Sequence, residues 1–275
     1  VAIRLCGESG EPSLALPRLF PKLATHLETA QRVTDVHDVT VTHIRAWVDA
    51  RFPSGIRPSL STRHSRRAAA RLGFRLLREA GIVNHDPTVD IRLPPRLPGR
   101  EARPLTDEEI RIGRAASLRT MGETRRPAVW ALAEATATTP EIPFVTPEHL
   151  DVSTGTVFLC GSSKLEPRQA VCTDWGLRVL RRRLEATRPA QPLVHEGAVG
   201  PVDAMRTAVS MTLTKILGDA GLRRDPAVKP GSVRAWAGRR ILIETGRIDE
   251  VALALGCKTL DTAAAIIRFD WRDLR

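Results

Sequence analysis

The sequence predicts a mainly α-helical chain of two domains, the second carrying a small β-hairpin. Three observations lead there. Apolar residues recur at helical spacing through most of the 275 residues. A proline-rich stretch interrupts that pattern about a third of the way along. Two short runs of β-forming residues flank a turn, Gly161-Ser162-Ser163-Lys164-Leu165-Glu166-Pro167-Arg168.

Residues 1–16 read as a loose arm. Leu23, His26, Leu27 and Ala30 space out a first helix. Thr42 is placed to cap a second, with Ile44, Trp47 and Val48 on its inner face. Ser61 or Thr62 is placed to cap a third, whose apolar face is Ala69, Leu72, Leu76, Leu77 and Ala80 and whose end is Gly81. Five prolines from Pro87 to Pro104 then read as an interdomain linker, because unstructured loops beyond about 15 residues are uncommon inside a domain. The domains are therefore 1–86 and 105–275, joined by 87–104.

Leu105 and Thr106 open the second domain. Thr106 followed by Glu109 is a capping box, with Leu105 as its hydrophobic staple. A helix is expected over Pro127–Thr136, a turn over Pro147–Asp151, and strands over Thr156–Cys160 and Gln169–Cys172. Helices follow over Trp175–Ala186 (Leu177, Leu180 and Leu184 inward), Val202–Ala220, Ser232–Glu244, Asp249–Leu255 and Leu260–Arg268. Gly221, Gly246 and Gly256 close three of them.

Forty-two basic residues stand against 31 acidic ones, a net charge of +11, and lysine occurs only at 22, 164, 215, 229 and 258. An arginine surplus of this size is the footprint of a nucleic-acid binder, since guanidinium forks fit phosphate oxygens. It is concentrated on the third helix, where Arg63, Arg67, Arg71, Arg75 and Arg78 make one stripe, with Arg66 beside it. A solvated basic face is the bland alternative. Tyrosine is absent, which excludes a tyrosine nucleophile from this chain. Cys6, Cys160, Cys172 and Cys257 form no CxxC pair, so neither a metal site, a cofactor nor a disulfide framework is expected. No apolar run reaches the ~20 residues of a membrane span, and the first residues do not read as a signal peptide.

The order of elements resembles the tyrosine recombinase (phage integrase) family. The resemblance rests on the basic helix before Gly81-Ile82-Val83-Asn84-His85-Asp86-Pro87 and on the Leu105–Ile110 helix start. It continues through Pro147-Glu148-His149-Leu150-Asp151-Val152, the hairpin with Lys164 at its turn, the helix with Arg234, and the run Leu255–Thr262. It spans roughly residues 16–270. It implies a helical core-binding domain of SAM-like fold, a mostly helical catalytic domain with a small sheet, and two domains that clamp DNA. It also implies an active site of two arginines, a lysine, two histidines or substitutes, and an attacking tyrosine.

Carried over position by position, that site is degenerate. Thr138 stands where the first arginine belongs, three residues before the retained acid Glu141. Lys164 and Arg234 match. Gly231 and Cys257 replace the two histidines, and Ile267 occupies the tyrosine position. Each match has a plainer reading. Lys164 has the plainer reading of a solvated turn lysine and Arg234 that of a partner for an acid such as Glu141, while Cys257 reads as small filler at a helix end rather than a reactive thiol. Trp236 and Trp271 read as core or interface anchors. DNA contacts are expected from Arg63, Arg66, Arg67, Arg71, Arg75, Lys164, Arg234, Arg239 and Arg240.

The expected function is duplex DNA binding without strand cleavage, in a regulatory, segregation or accessory role. A homodimer or higher assembly on DNA, formed through Ile267–Arg275, and a cytoplasmic, nucleoid-associated location are expected with it. The alternative is an active, divergent recombinase whose nucleophile has moved to Cys257, Thr259, Thr262 or Asp270. A helical module binding RNA or protein is the third reading.

Overall fold

The computed structural model describes residues 17–94, 102–120, 122–188, 191–194 and 201–270. Its contacts divide the chain into two compact units, Val1–Gly99 and Arg100–Arg275.

In the first unit, α1 (Phe20–Gln31), α2 (Val41–Asp49) and α3 (Leu60–Glu79) enclose a core that includes Phe20, Leu23, Ile44, Trp47, Val48, Leu72 and Leu76. The cap of α2 is Thr40 rather than Thr42: its amide donates to His43 Nδ1 at 3.2 Å in a capping box. The cap of α3 is Ser59 rather than Ser61 or Thr62, and its Oγ accepts from the Thr62 amide at 3.2 Å. Both helices thus begin two residues early, where a hydroxyl first meets an extended backbone. The buried face of α3 includes Ala69, Leu72 and Leu76 as expected, but Ala80 is exposed. Gly73 has no side chain where the Phe20 ring approaches; a Cβ there would stand 3.5 Å from it.

The chain keeps packing past Pro87. Thr88 and Ile91 are buried, Asp86 accepts from the Thr88 amide and hydroxyl (2.9 and 2.6 Å), and the His64 ring reaches the Pro94 carbonyl at 2.9 Å. The first half of the proline-rich stretch therefore belongs to the first unit. Its signals, an Asx turn and one isoleucine, are too few to show as periodicity.

The second unit begins before the expected boundary at 105. Arg103 is bidentate to Glu109 (2.6 and 2.7 Å) and reaches Asp225 at 2.6 Å. These bonds raise the arginine's pKa and hold both carboxyls below their usual range. The helix α4 (Asp107–Ser117) opens with the Thr106–Glu109 capping box, and Leu105 is buried beneath it. The helix α5 (Arg125–Glu134) is buried on every side and forms the centre of the unit. Its terminal Glu134 carboxylate is fully partnered, by Arg114 (2.8 and 2.7 Å), Trp130 Nε1 (2.8 Å) and Thr173 Oγ1 (2.8 Å).

The sheet is antiparallel, in the order β1 (Leu150–Asp151), β2 (Thr156–Leu159), β3 (Arg168–Val171). The expected hairpin gains β1 as a third strand, and β3 starts one residue earlier, with Arg168 opposite Leu159. Alternation sends Val157 and Leu159 inward from β2, and Arg168 and Ala170 inward from β3.

Among the described residues, five further α-helices follow: α6 (Asp174–Glu185), α7 (Val202–Asp219), α8 (Gly231–Thr245), α9 (Ile248–Leu255) and α10 (Leu260–Ile267). Gly246 and Gly256 take left-handed φ of 68° and 65° at two of the helix ends. Trp236 is a core anchor whose Nε1 donates to Asp107 at 2.6 Å. Trp271 lies outside the described residues. Among the described residues, no helix is long and apolar enough to cross a membrane.

Candidate functional site

The site is built around one residue at the end of α5. Thr136 has φ 67°, a left-handed backbone that a β-branched residue rarely adopts. The turn is held because its hydroxyl donates to the Ala254 carbonyl at 2.7 Å. The turn also aims the Thr136 carbonyl at two arginines. Arg234 Nε donates to it at 3.0 Å and Arg168 Nη2 at 2.9 Å, so both of the oxygen's lone pairs are used.

Arg234, from α8, lies 9% exposed and also donates from Nη2 to the Leu255 carbonyl. Burial pushes its pKa down, as does the charge of Arg168; Cys257 and Glu141 act the other way. Its side chain forms part of the wall of a cleft of about 280 Å³, shared with Thr138, Thr139, Gly231, Leu213 and Ile266, among others. Three of the residues that the resemblance singles out, Thr138, Gly231 and Arg234, thus line one cleft.

Glu141 does not pair with Arg234. It is claimed by Arg168, through bonds of 2.8 and 3.1 Å, and by the Thr138 amide (2.9 Å) and hydroxyl (2.8 Å). Burial alone would raise the Glu141 carboxyl; the hydrogen bonds and charge of Arg168, with those from Thr138, outweigh it and hold the group below the usual range. The remaining donors of Arg168 go to the Ala254 carbonyl (Nε, 3.0 Å) and the Glu166 carbonyl (Nη1, 3.4 Å). All five of its N–H groups therefore end on protein acceptors.

Sequence reading assigned Arg168 to the hairpin turn and missed it. The signal was present: at period two, Arg168 shares the inward face of β3 with Ala170, and an inward arginine calls for a buried acid. Gly256 makes room for it. A Cβ there would stand 2.8 Å from both Arg168 Nη1 and the Glu166 carbonyl oxygen.

Other expected residues fall elsewhere. Ile267 is buried in a small cluster with Val251, Leu255 and Ala263, and packs over Gly238. Its neighbour Ile266 is the one that lines the cleft. Cys257 is paired by backbone with Leu165, and the Glu166 amide donates to the Gly256 carbonyl at 2.9 Å. These contacts pin the hairpin turn against the end of α9. Lys164 is exposed at that turn and is not among the residues lining the cleft. Thr259 and Thr262 bond each other at 2.8 Å in the cap of α10.

The expected duplex contacts also separate. Arg66 turns inward, donating from Nη1 to the carbonyls of Trp47 (3.0 Å), Val48 (3.3 Å) and Ala50 (2.6 Å), with its guanidinium over the Trp47 and Phe52 rings. It closes the C-terminus of α2, so at least one of its guanidinium nitrogens is spent inside the first unit. Arg63 is bonded to Asp49 at 2.5 Å, while Arg75 and Arg78 lie near Glu79 (3.8 Å) and Asp86 (3.2 Å). Arg71 is exposed with no partner among the described residues. On α8, Arg239 is exposed, while Arg240 pairs with Glu244 at 3.1 Å and stacks on Trp236.

A helical unit joined to a second, mostly helical unit with a three-stranded sheet is the fold of the tyrosine recombinases, and solved structures bear this out. The chain is similar to a lambda integrase dimer bound to a COC' core site (TM-score 0.67, 12% identity, 98% of this chain and 94% of that one). It is also similar to the XerH site-specific recombinase bound to palindromic difH substrate (0.64, 14%, 95% and 76%). A third is the Tn1549 transposon integrase in complex with transposon right end DNA (0.62, 10%, 99% and 96%). No family model and no curated protein matches the sequence.

Proposed function

We propose that this chain binds double-stranded DNA on a recombinase scaffold and does not cut it, acting as a regulatory, segregation or accessory factor. The observation that carries the reading is the composition of the cleft. Beside Arg234 stand Thr138, Gly231 and Ile266, which supply neither a second cation nor the aromatic hydroxyl of the family. Arg168 is close by, but its donors are spent on the protein itself and offer nothing to a phosphate. Losing one preorganised donor costs about 3–4 kcal/mol of transition-state stabilisation, and losing the nucleophile removes the covalent step.

The exposed arginine Arg71 and the net charge of +11 support a duplex as the ligand. So does the fold shared with proteins solved on their DNA sites. A dimer or larger assembly on DNA, and work at the nucleoid of a bacterial, phage or plasmid system, belong to the same proposal. The test is fluorescence anisotropy with a labelled duplex over a salt series, beside a nicked suicide substrate that traps covalent intermediates. Steeply salt-dependent binding with no protein–DNA adduct is expected. A covalent adduct overturns the reading.

The alternative of a displaced nucleophile, expected at Cys257, Thr259, Thr262 or Asp270, finds none of those four among the residues lining the cleft; the hydroxyl residues that do line it with Arg234 are Thr138 and Thr139. The Thr138 hydroxyl, however, is committed to a carboxylate whose lowered pKa makes it a poor base. An adduct abolished by Thr138→Ala or Thr139→Ala would establish this alternative.

A further inference from the structure

The first unit carries a second basic feature, outside the arginine stripe. The α2–α3 loop is closed on itself. The Phe52 amide donates to the Ile56 carbonyl (3.0 Å), the Gly55 amide to the Phe52 carbonyl (2.8 Å), and Arg51 Nη1 to the Gly55 carbonyl (2.7 Å). Gly55, at φ 77°, permits the reversal. The loop delivers Arg51 and Arg57 to a notch of about 440 Å³ that is completed by Pro58, Asp49 and Arg63.

Three guanidinium groups meet one carboxylate there, so the notch holds a surplus of positive charge. Asp49 is already engaged by Arg63 Nε at 2.5 Å. Arg57 is exposed and has no hydrogen-bond or ion-pair partner among the described residues. The loop is thus preorganised while its outermost cation is unspent. The start of α3, three residues beyond Arg57, adds the positive end of a helix dipole.

We propose that this notch seats a backbone phosphate of duplex DNA, with Arg57 as its principal ligand and Arg51 and Arg63 as its walls. The inference rests on the duplex-binding reading and adds where the first unit holds the backbone. A linear polyanion fits better than a single carboxylate, because the positive surplus does not end at the notch. It continues along α3 through Arg67, whose Nε is buried without a hydrogen-bond partner in the structure, to the exposed Arg71. The far end of the stripe is damped by Glu79 and Asp86. The backbone is therefore gripped at the N-terminal end of α3 rather than evenly along it. Such a contact positions the duplex without reading its sequence.

The experiment measures anisotropy of a labelled duplex with the full chain and with Arg57→Ala, Arg57→Lys and Arg57→Glu, over a salt series, with polyglutamate of matching charge as a parallel probe. Arg57 is exposed and makes no hydrogen bond or ion pair among the described residues, so melting temperatures are expected to stay near the wild-type value and affinity changes report binding. Arg57→Ala weakens duplex binding about 3- to 10-fold on every sequence and lowers the salt slope by about one. Arg57→Lys keeps most of that slope, and Arg57→Glu loses more than the alanine variant. Wild-type affinity and slope in Arg57→Glu overturn the notch and leave the duplex-binding reading standing. A wild-type chain with no affinity for duplex overturns both. A loss in Arg57→Glu confined to polyglutamate assigns the notch to an acidic protein segment and overturns the proposal.

Discussion

The arginines of α3 and those around Thr136 use the same side chain in opposite ways. On α3, Arg71 extends into solvent, and the Arg75–Glu79 contact at 3.8 Å is an exposed pair of the kind that contributes little to folding. Around Thr136, Arg168 and Arg234 are almost wholly enclosed and end on carbonyls of the turn after α5, of α9 and of the hairpin turn. Arg66 shows that the first unit makes the inward choice too, at the C-terminus of α2. What separates the two uses is the acceptor supply. A guanidinium surrounded by unpaired helix-end carbonyls and a buried acid is wiring; one surrounded by water is available to a ligand.

The comparison is tested hardest at Arg168. Arg168→Met leaves Glu141 buried beside Thr138 without its counter-charge, and breaking a buried pair from one side costs about 3–5 kcal/mol. Urea unfolding is the measurement, and the double variant Arg168→Met/Glu141→Leu is expected to recover most of the loss, because it removes the stranded charge as well. A loss below about 1 kcal/mol in the single variant would mean that Arg168 is not the wiring described here.

Gly256→Ala comes next. It places a Cβ in a left-handed residue, which costs about 1–2 kcal/mol, and sets that atom 2.8 Å from Arg168 Nη1. A loss of about 2 kcal/mol or more is expected in the same assay. A near-neutral result would show that Arg168 has room to move and is not locked in place.

Acid sensitivity sharpens the contrast further. The Glu141 carboxyl has a folded pKa below its unfolded value. Its contribution to stability is therefore complete above the unfolded value of about 4.3 and is lost as pH falls through the lower folded value. Stability measured from pH 7 down to pH 3 is expected to fall less steeply in Arg168→Met/Glu141→Leu than in wild type. Equal slopes would remove Glu141 from the account.

How far the sequence revealed all this differs between the two regions. The helices, the capping box at Thr106 and the glycine helix ends were legible because each is a local signal within a few residues. Thr138, Gly231 and Arg234, which motif order singles out, line one cleft. The pairing of Glu141 with Arg168 was not legible, since it joins residues 27 apart and depends on the strand register that turns Arg168 inward. That Ile266 lines the cleft while Ile267 packs on Gly238 was hidden for a similar reason: one residue of helix rotation decides which side chain meets which neighbour. Arg66 looked like its stripe neighbours because sequence spacing does not show where α2 ends.

The smallest expected effect on folding belongs to Arg71, and that is its value. The side chain is exposed and lacks an internal partner, so Arg71→Ala is expected to change unfolding free energy by no more than about 0.5 kcal/mol. The same substitution removes one cation from the solvent side of α3. If that side faces a duplex, the dependence of affinity on salt falls by about one unit of slope while stability stays put. A variant that unfolds more easily but binds as before would place Arg71 with Arg66 among the internal supports, and the division between wiring and grip drawn on α3 would have to move.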